Sequence, residues 1–120
     1  TQETLSRATR LKLIASCRGG PKNINVAAAS ARGIPVVNAP GRNAVPVAEF
    51  TVGLLLAHTR YISRGHASLR EGIWKVGAYR EGNAGAQVQG SYAGIVGLGS
   101  VGFLVARILG AFGASVLAHD

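Results

Sequence analysis

Gly97-Leu98-Gly99-Ser100-Val101-Gly102 is the most constraining stretch of this chain. The apolar run Tyr92–Val96 precedes it and reads as a strand. After it, Val101, Leu104, Val105, Ile108 and Leu109 fall on one face of a helix that Gly113 stops. Ser115–His119 reads as a second strand, closed by Asp120. Strand, glycine turn, helix and strand predict a right-handed β-α-β unit with parallel strands. With 17 glycines in 120 residues, a bare G-x-G-x-x-G carries little weight, so its position between strand and helix is what counts. Gly97 permits the sharp turn, Gly99 has no Cβ and lets backbone approach a pyrophosphate, and Gly102 lets the helix pack close to the strand. The free N–H groups around Ser100 and Val101 then face the phosphates, and the helix dipole adds roughly 0.3–1 kcal/mol. A carboxylate at Asp120 accepts hydrogen bonds from ribose hydroxyls, each worth about 1.5–3 kcal/mol, and repels a 2′-phosphate. The dinucleotide expected is therefore NAD rather than NADP. The competing reading is a glycine-rich turn without a ligand beside an ordinary surface aspartate. The motif speaks for a dinucleotide, not for a reaction.

Upstream, the same alternation recurs. A short polar helix is expected over Glu3–Arg10, and Leu11–Cys17 is apolar enough for a strand within a sheet. Arg18-Gly19-Gly20-Pro21-Lys22 is a loop, since two glycines and a proline do not sit inside a regular element. Asn25 caps a helix over Val26–Arg32, Gly33 stops it, and Ile34–Asn38 is a second strand ended by Pro40-Gly41. Asn43 is a candidate cap for the strongest helix, with Pro46 in its first turn. From Val47 to Ile62 apolar residues cover nearly the whole circumference, which predicts a buried helix with His58 as a hydrogen-bonded packing residue. A more polar helix follows over Ser63–Glu71, and Gly72–Gly90 reads as a loop or linker.

Composition removes several function classes. The longest strongly apolar stretch, Val52–Ala57, is far short of the ~20 residues that cross a bilayer. One cysteine excludes an internal disulfide framework and a cysteine-based zinc site, and fits a reducing, cytoplasmic compartment. The net charge is +8, but the basic residues are scattered singly. A nucleic-acid binder would cluster them on one face, often beside aromatics, and this chain has one Trp, three Tyr and three Phe. No nucleic-acid and no membrane partner is expected. The chain has neither an initiator methionine nor any other, which suggests a segment of a longer protein.

Taken in order, several segments resemble the NAD-dependent D-isomer-specific 2-hydroxyacid dehydrogenases, in particular the phosphoglycerate-dehydrogenase-like members. They are Leu11–Ile14, Arg18–Ile24, Ala27–Ala29, Gly33–Asn43, Val47–Thr51, His66–Trp74 and Gly97–Gly102. The resemblance implies an α/β protein with Rossmann-like parallel sheets in parts of two lobes: a flavodoxin-like substrate lobe and an NAD-binding Rossmann lobe. Residues 1–41 would be the C-terminal half of the substrate lobe, 42–90 an interdomain helix and linker, and 91–120 the first β-α-β unit of the cofactor lobe. It also implies that backbone N–H groups at Arg18, Gly19 and Gly20 hold the substrate carboxylate. From the residues alone, that loop is either an anion-holding nest or a plain turn. Cofactor contacts are expected from Gly97, Gly99, Ser100, Val101, Gly102 and Asp120. The sequence departs from many family members at Lys22 and Asn25, where they carry acids, and at Ser91-Tyr92-Ala93.

The family's catalytic arginine, carboxylate and histidine are expected downstream of this chain. None of His58, His66 and His119 matches the catalytic histidine, Glu49 reads as structural, and Cys17 reads as a small core residue. The function expected of the parent is hydride transfer between NAD(H) and a 2-hydroxy or 2-keto acid such as 3-phosphoglycerate. Family analogy suggests a homodimer, with the 120 residues alone inactive. A non-catalytic, NAD-dependent corepressor-like protein of the same fold is the alternative. An adenosylhomocysteinase-like hydrolase fits the Arg18–Lys22 and Ile34–Asn43 stretches less well, and a basic binding module would take no cofactor at all.

Overall fold

Proline and glycine punctuation cuts the chain into short elements, which a computed structural model describes over residues 2–74 and 84–120. In order they are α1 (Gln2–Arg7), β1 (Ile14–Ser16), α2 (Val26–Ser30), β2 (Val36–Asn38), α3 (Ala44–Thr59), α4 (Ile62–Arg70), β3 (Tyr92–Val96), α5 (Ser100–Ala111) and β4 (Ser115–His119). The chain divides into two compact units, Thr1–Asn43 and Ala44–Asp120. Each holds one parallel two-stranded sheet joined through a helix, so the architecture is α/β.

In the first unit, Ile14 faces Val36 and Ser16 faces Asn38 across the β1–β2 pair. The strands are shorter than Leu11–Cys17 and Ile34–Asn38. Pro35 explains one limit: it has no N–H to give, so the ladder opens with the Ile14 amide on the Pro35 carbonyl at 3.0 Å. Leu11 and Leu13 stay outside the pairing and exposed. Leu5, Ala29 and Ile34 form the buried core here, with Ile14 and Val36 packed against it. The Arg32 guanidinium ties α1 down by donating to the carbonyls of Leu5 and Ala8. Asn25 caps α2, its Oδ1 accepting the Ala28 N–H at 3.0 Å. Asn25→Ala is expected to cost about 1 kcal/mol of stability, read by urea denaturation; an unchanged midpoint would deny the cap any weight.

In the second unit, β3 and β4 pair in parallel from Tyr92–Ser115 to Val96–His119. Helix α5 lies against this pair and against α3. Ala48 and Val52 of α3 meet Val105 and Leu109 of α5 in a buried cluster, with Val101, Leu104 and Ile108 at its margin. The apolar spacing read along α5 is thus the face that packs. Helix α3 corrects the expectation of burial all round: Ala44, Ala48 and Val52 are buried, but Val45, Val47, Phe50 and Leu54 are exposed. Helix α5 covers a single stripe of it. The His58 side chain lies outside that stripe and is exposed, without a hydrogen bond among the described residues, so it is not a packing residue. The long helix also ends earlier than Ile62. Tyr61 takes a left-handed conformation at φ 56°, a geometry that costs a non-glycine residue about 1–3 kcal/mol, and it separates α3 from α4. The Arg64 guanidinium stacks 5.0 Å from the Tyr61 ring centre, a compensating contact. Of the loop or linker read over Gly72–Gly90, residues 75–83 lie outside the described residues. Near its end, Arg60 donates to the Gly85 carbonyl at 2.5 Å.

Candidate functional site

The β3–α5 turn is built by the strand pair beneath it. Gly97 has φ +94°, a left-handed value that glycine adopts without strain. Its N–H donates to the His119 carbonyl at 2.7 Å, carrying the β3–β4 ladder one step into the turn. The next amide, Leu98, donates to Oδ1 of Asp120 at 2.9 Å. Gly99 is the N-cap of α5 and, lacking a side chain, makes no cap hydrogen bond. The helix closes first from the Phe103 N–H onto the Gly99 carbonyl at 2.9 Å. The amides of Ser100, Val101 and Gly102 lie ahead of that bond and have no intrahelical acceptor.

Side chains do not fill this bend. A Cβ placed on Gly99 would meet nothing within 4 Å, and Gly97 to Ser100 are exposed. A Cβ on Gly102, by contrast, would overlap the Gly97 carbonyl oxygen and touch Ile95 Cγ2 at 3.4 Å. The three glycines thus have three different duties: a left-handed turn, an open approach, and close helix-to-turn packing. Asp120 departs in one respect from a simple ribose acceptor. One carboxylate oxygen is engaged by the loop itself, and the other has no partner among the described residues. The loop amides, the helix N-terminus and a nearby carboxylate make an arrangement that can hold a diphosphate joined to a ribose.

A second feature lies within the first unit. An open pocket of about 710 Å³ is lined by residues that include Ser16, Arg18, Gly19, Asn23, Arg42 and Asn43. The loop after β1 is held by two bonds: Asn38 Nδ2 donates to the Gly19 carbonyl and the Ala39 N–H to the Arg18 carbonyl, both at 2.9 Å. These bonds occupy carbonyls. The N–H groups of Gly19 and Gly20 reach no backbone carbonyl among the described residues. Ser16, only 7% exposed, has a buried hydroxyl without a partner. Arg18 and Gly19 line this pocket, whereas Gly20 is half-buried and does not. Cys17 corrects the core reading: it lies one residue past β1, is exposed and lines the pocket. Asn43, directly before α3, lines it as well, and its side chain makes no capping hydrogen bond to the first turn of that helix among the described residues. Arg42 was not singled out by sequence reasoning, because only the fold brings the turn after β2 to the loop after β1.

Glu49, His66 and His119 are exposed, and the His119 carbonyl is the group the glycine turn uses. Among the described residues no three His, Cys, Asp or Glu side chains gather where they could hold a metal ion. No described helix is long and apolar enough to cross a membrane.

The order of these features is matched beyond this chain. A family profile described as "D-isomer specific 2-hydroxyacid dehydrogenase, catalytic domain" matches residues 1–116. The chain belongs to this family. It is similar to D-3-phosphoglycerate dehydrogenase of Mycobacterium leprae, 46% identical over 118 residues, which are 98% of this chain and 22% of that protein. Among solved structures it resembles the TT0316 protein of Thermus thermophilus, with a TM-score of 0.89 and 38% identity over 98% of this chain and 38% of the other. It also resembles an NAD-dependent formate dehydrogenase of Staphylococcus aureus in complex with NAD, with a TM-score of 0.82 and 36% identity over 100% of this chain and 36% of the other. This D-2-hydroxyacid dehydrogenase family chain therefore spans about a fifth of the length of the Mycobacterium leprae relative. Its fold is that of Rossmann-like dehydrogenases of the family, with parallel β-α-β units in both halves.

Proposed function

We propose that the full-length protein is an NAD-dependent oxidoreductase that interconverts a 2-hydroxy and a 2-keto acid, with 3-phosphoglycerate the first substrate to test. The observation that carries this reading is the open glycine turn, latched at Leu98 by Asp120, with the free amides of Ser100, Val101 and Gly102 above it. The phosphoglycerate dehydrogenase relative and the NAD-bound formate dehydrogenase support it. In this reading residues 1–41 belong to the substrate lobe, 42–90 connect, and 91–120 open the cofactor lobe. The protein works in the cytoplasm, as a homodimer.

When bound, NAD supplies a hydride acceptor at its nicotinamide ring. The residues of this chain bind and orient. The amides at the start of α5 neutralise diphosphate charge without a counter-ion. The free oxygen of Asp120 accepts from the ribose next to the adenine. The backbone N–H groups of Arg18 and Gly19 hold the substrate carboxylate. Proton transfer falls to groups beyond these 120 residues.

Calorimetric titration of the full-length protein with NAD and with NADP, paired with NADH-linked reduction of 2-keto acids, tests the proposal. Binding of NAD in preference to NADP, together with turnover, is the expected result. NAD binding without turnover on any 2-keto acid would move the protein to the corepressor-like class. No NAD binding at all would sink the reading.

A further inference from the structure

We propose that Arg42 is a specificity-determining residue, placing a second cationic group on the pocket beside the Arg18–Gly19 loop and so selecting a small 2-keto or 2-hydroxy acid that carries a second anionic group. The proposal rests on the substrate reading given above. It arises from how the chain turns after β2. Gly41 has φ +73°, so the backbone reverses there and returns Arg42 to the end of β1. Arg18 and Arg42 then line one pocket, and no Asp or Glu lines it with them. Neither arginine is paired: the one ion pair among the described residues joins Arg7 and Glu3 on α1.

Two arginines lining one concave surface raise the local concentration of anions. A substrate with a single carboxylate satisfies the Arg18–Gly19 side and leaves Arg42 uncompensated. A substrate with a further phosphate or carboxylate compensates both. The planar fork of a guanidinium suits either group, since it offers two parallel N–H donors to two oxygens. The pocket also holds neutral donors in Asn23 and Asn43, and the Ser16 hydroxyl stands buried and unsatisfied in its wall. A buried polar group without a partner is uncommon in folded proteins and is accounted for where a ligand or water completes it. Loop carbonyls are already taken up by Asn38 and Ala39, so the surface turned to a ligand is rich in donors.

The test compares the full-length wild-type protein with Arg42→Gln and Arg42→Lys. The substrates are 3-phosphohydroxypyruvate, oxaloacetate and hydroxypyruvate, each reduced with NADH. The wild type is expected to prefer one of the two acids with a second anionic group over hydroxypyruvate in kcat/KM. Arg42→Gln is expected to shrink that preference by about tenfold or more, acting mainly on KM, and Arg42→Lys to restore part of it. A larger change with 3-phosphohydroxypyruvate assigns the second group as phosphate; a larger change with oxaloacetate assigns it as carboxylate. Equal loss on all three substrates, or no change on any, overturns the proposal. Calorimetric binding of 3-phosphoglycerate, against glycerate as the single-charge control, supplies a readout without turnover. If no keto acid is reduced yet 3-phosphoglycerate binds with an affinity that Arg42→Gln weakens, the redox reading fails and the Arg42 site stands. If hydroxypyruvate is reduced but neither acid with a second anionic group is preferred, the redox reading stands and the Arg42 site fails.

Discussion

Gly102→Val is expected to abolish NAD binding and to remove about 1–3 kcal/mol of stability from the unit that contains it. The cause is geometric. Even a methyl group at this position overlaps the carbonyl oxygen of Gly97 and presses on Ile95 Cγ2. Neither can give way freely. The Gly97 carbonyl belongs to a turn whose own amide is bonded to His119, and Ile95 packs against the cluster of Ala48, Val52, Val105 and Leu109. The helix must therefore move outward, and with it the amides of Ser100 and Val101. Urea denaturation reads the stability and calorimetry reads the affinity. Gly99→Ala gives the useful contrast. Its methyl meets open space in the protein alone, so it leaves stability nearly unchanged while obstructing the ligand. A Gly102→Val protein that keeps both its midpoint and its NAD affinity would show that the turn does not pack as described.

Asp120→Ala is expected to lower NAD affinity by about tenfold to a hundredfold, the loss of one charge-assisted hydrogen bond. Asp120→Asn separates the two duties of the side chain. An amide oxygen still accepts from Leu98, so the turn keeps its latch, but the negative charge that rejects a 2′-phosphate is gone. Both variants are expected to raise NADP affinity relative to NAD, and only the alanine variant to loosen the turn before any ligand arrives. Hydrogen exchange at the Leu98 amide distinguishes them. Equal NAD-to-NADP ratios in the wild type and both variants would remove Asp120 from the site.

What was legible in the sequence follows the range of the forces involved. β3, the start of α5 and β4 were readable to within a residue or so, because glycine punctuation and an apolar face of helical spacing are local signals that the packing of α5 on α3 reinforces. The Asn25 cap was readable for the same reason: its acceptor and donor are three residues apart. Strand ends in the first unit were not, since they depend on where Pro35 denies a hydrogen bond to a strand some twenty residues earlier in the chain. The break at Tyr61 was read slightly late, between Ile62 and Ser63, because no glycine or proline marks it. Around the candidate site, the glycine turn and Asp120 were visible as residue types, but the bond that joins them was not. Gly20 was read as equivalent to Gly19, yet only Gly19 lines the pocket. Arg42 escaped altogether, because its proximity to Arg18 is a property of the parallel crossover and has no counterpart in local spacing; Ser16 stands two residues before Arg18, and what escaped there is the burial of its hydroxyl without a partner.

The two anchors of the glycine turn both come from the far end of β4: the backbone carbonyl of His119 and the carboxylate of Asp120. A ribosome that has delivered the chain only through α5 has made the hexapeptide and its helix, but neither of the groups that hold the bend in shape. The turn thus takes its final shape late, at the moment the second strand docks.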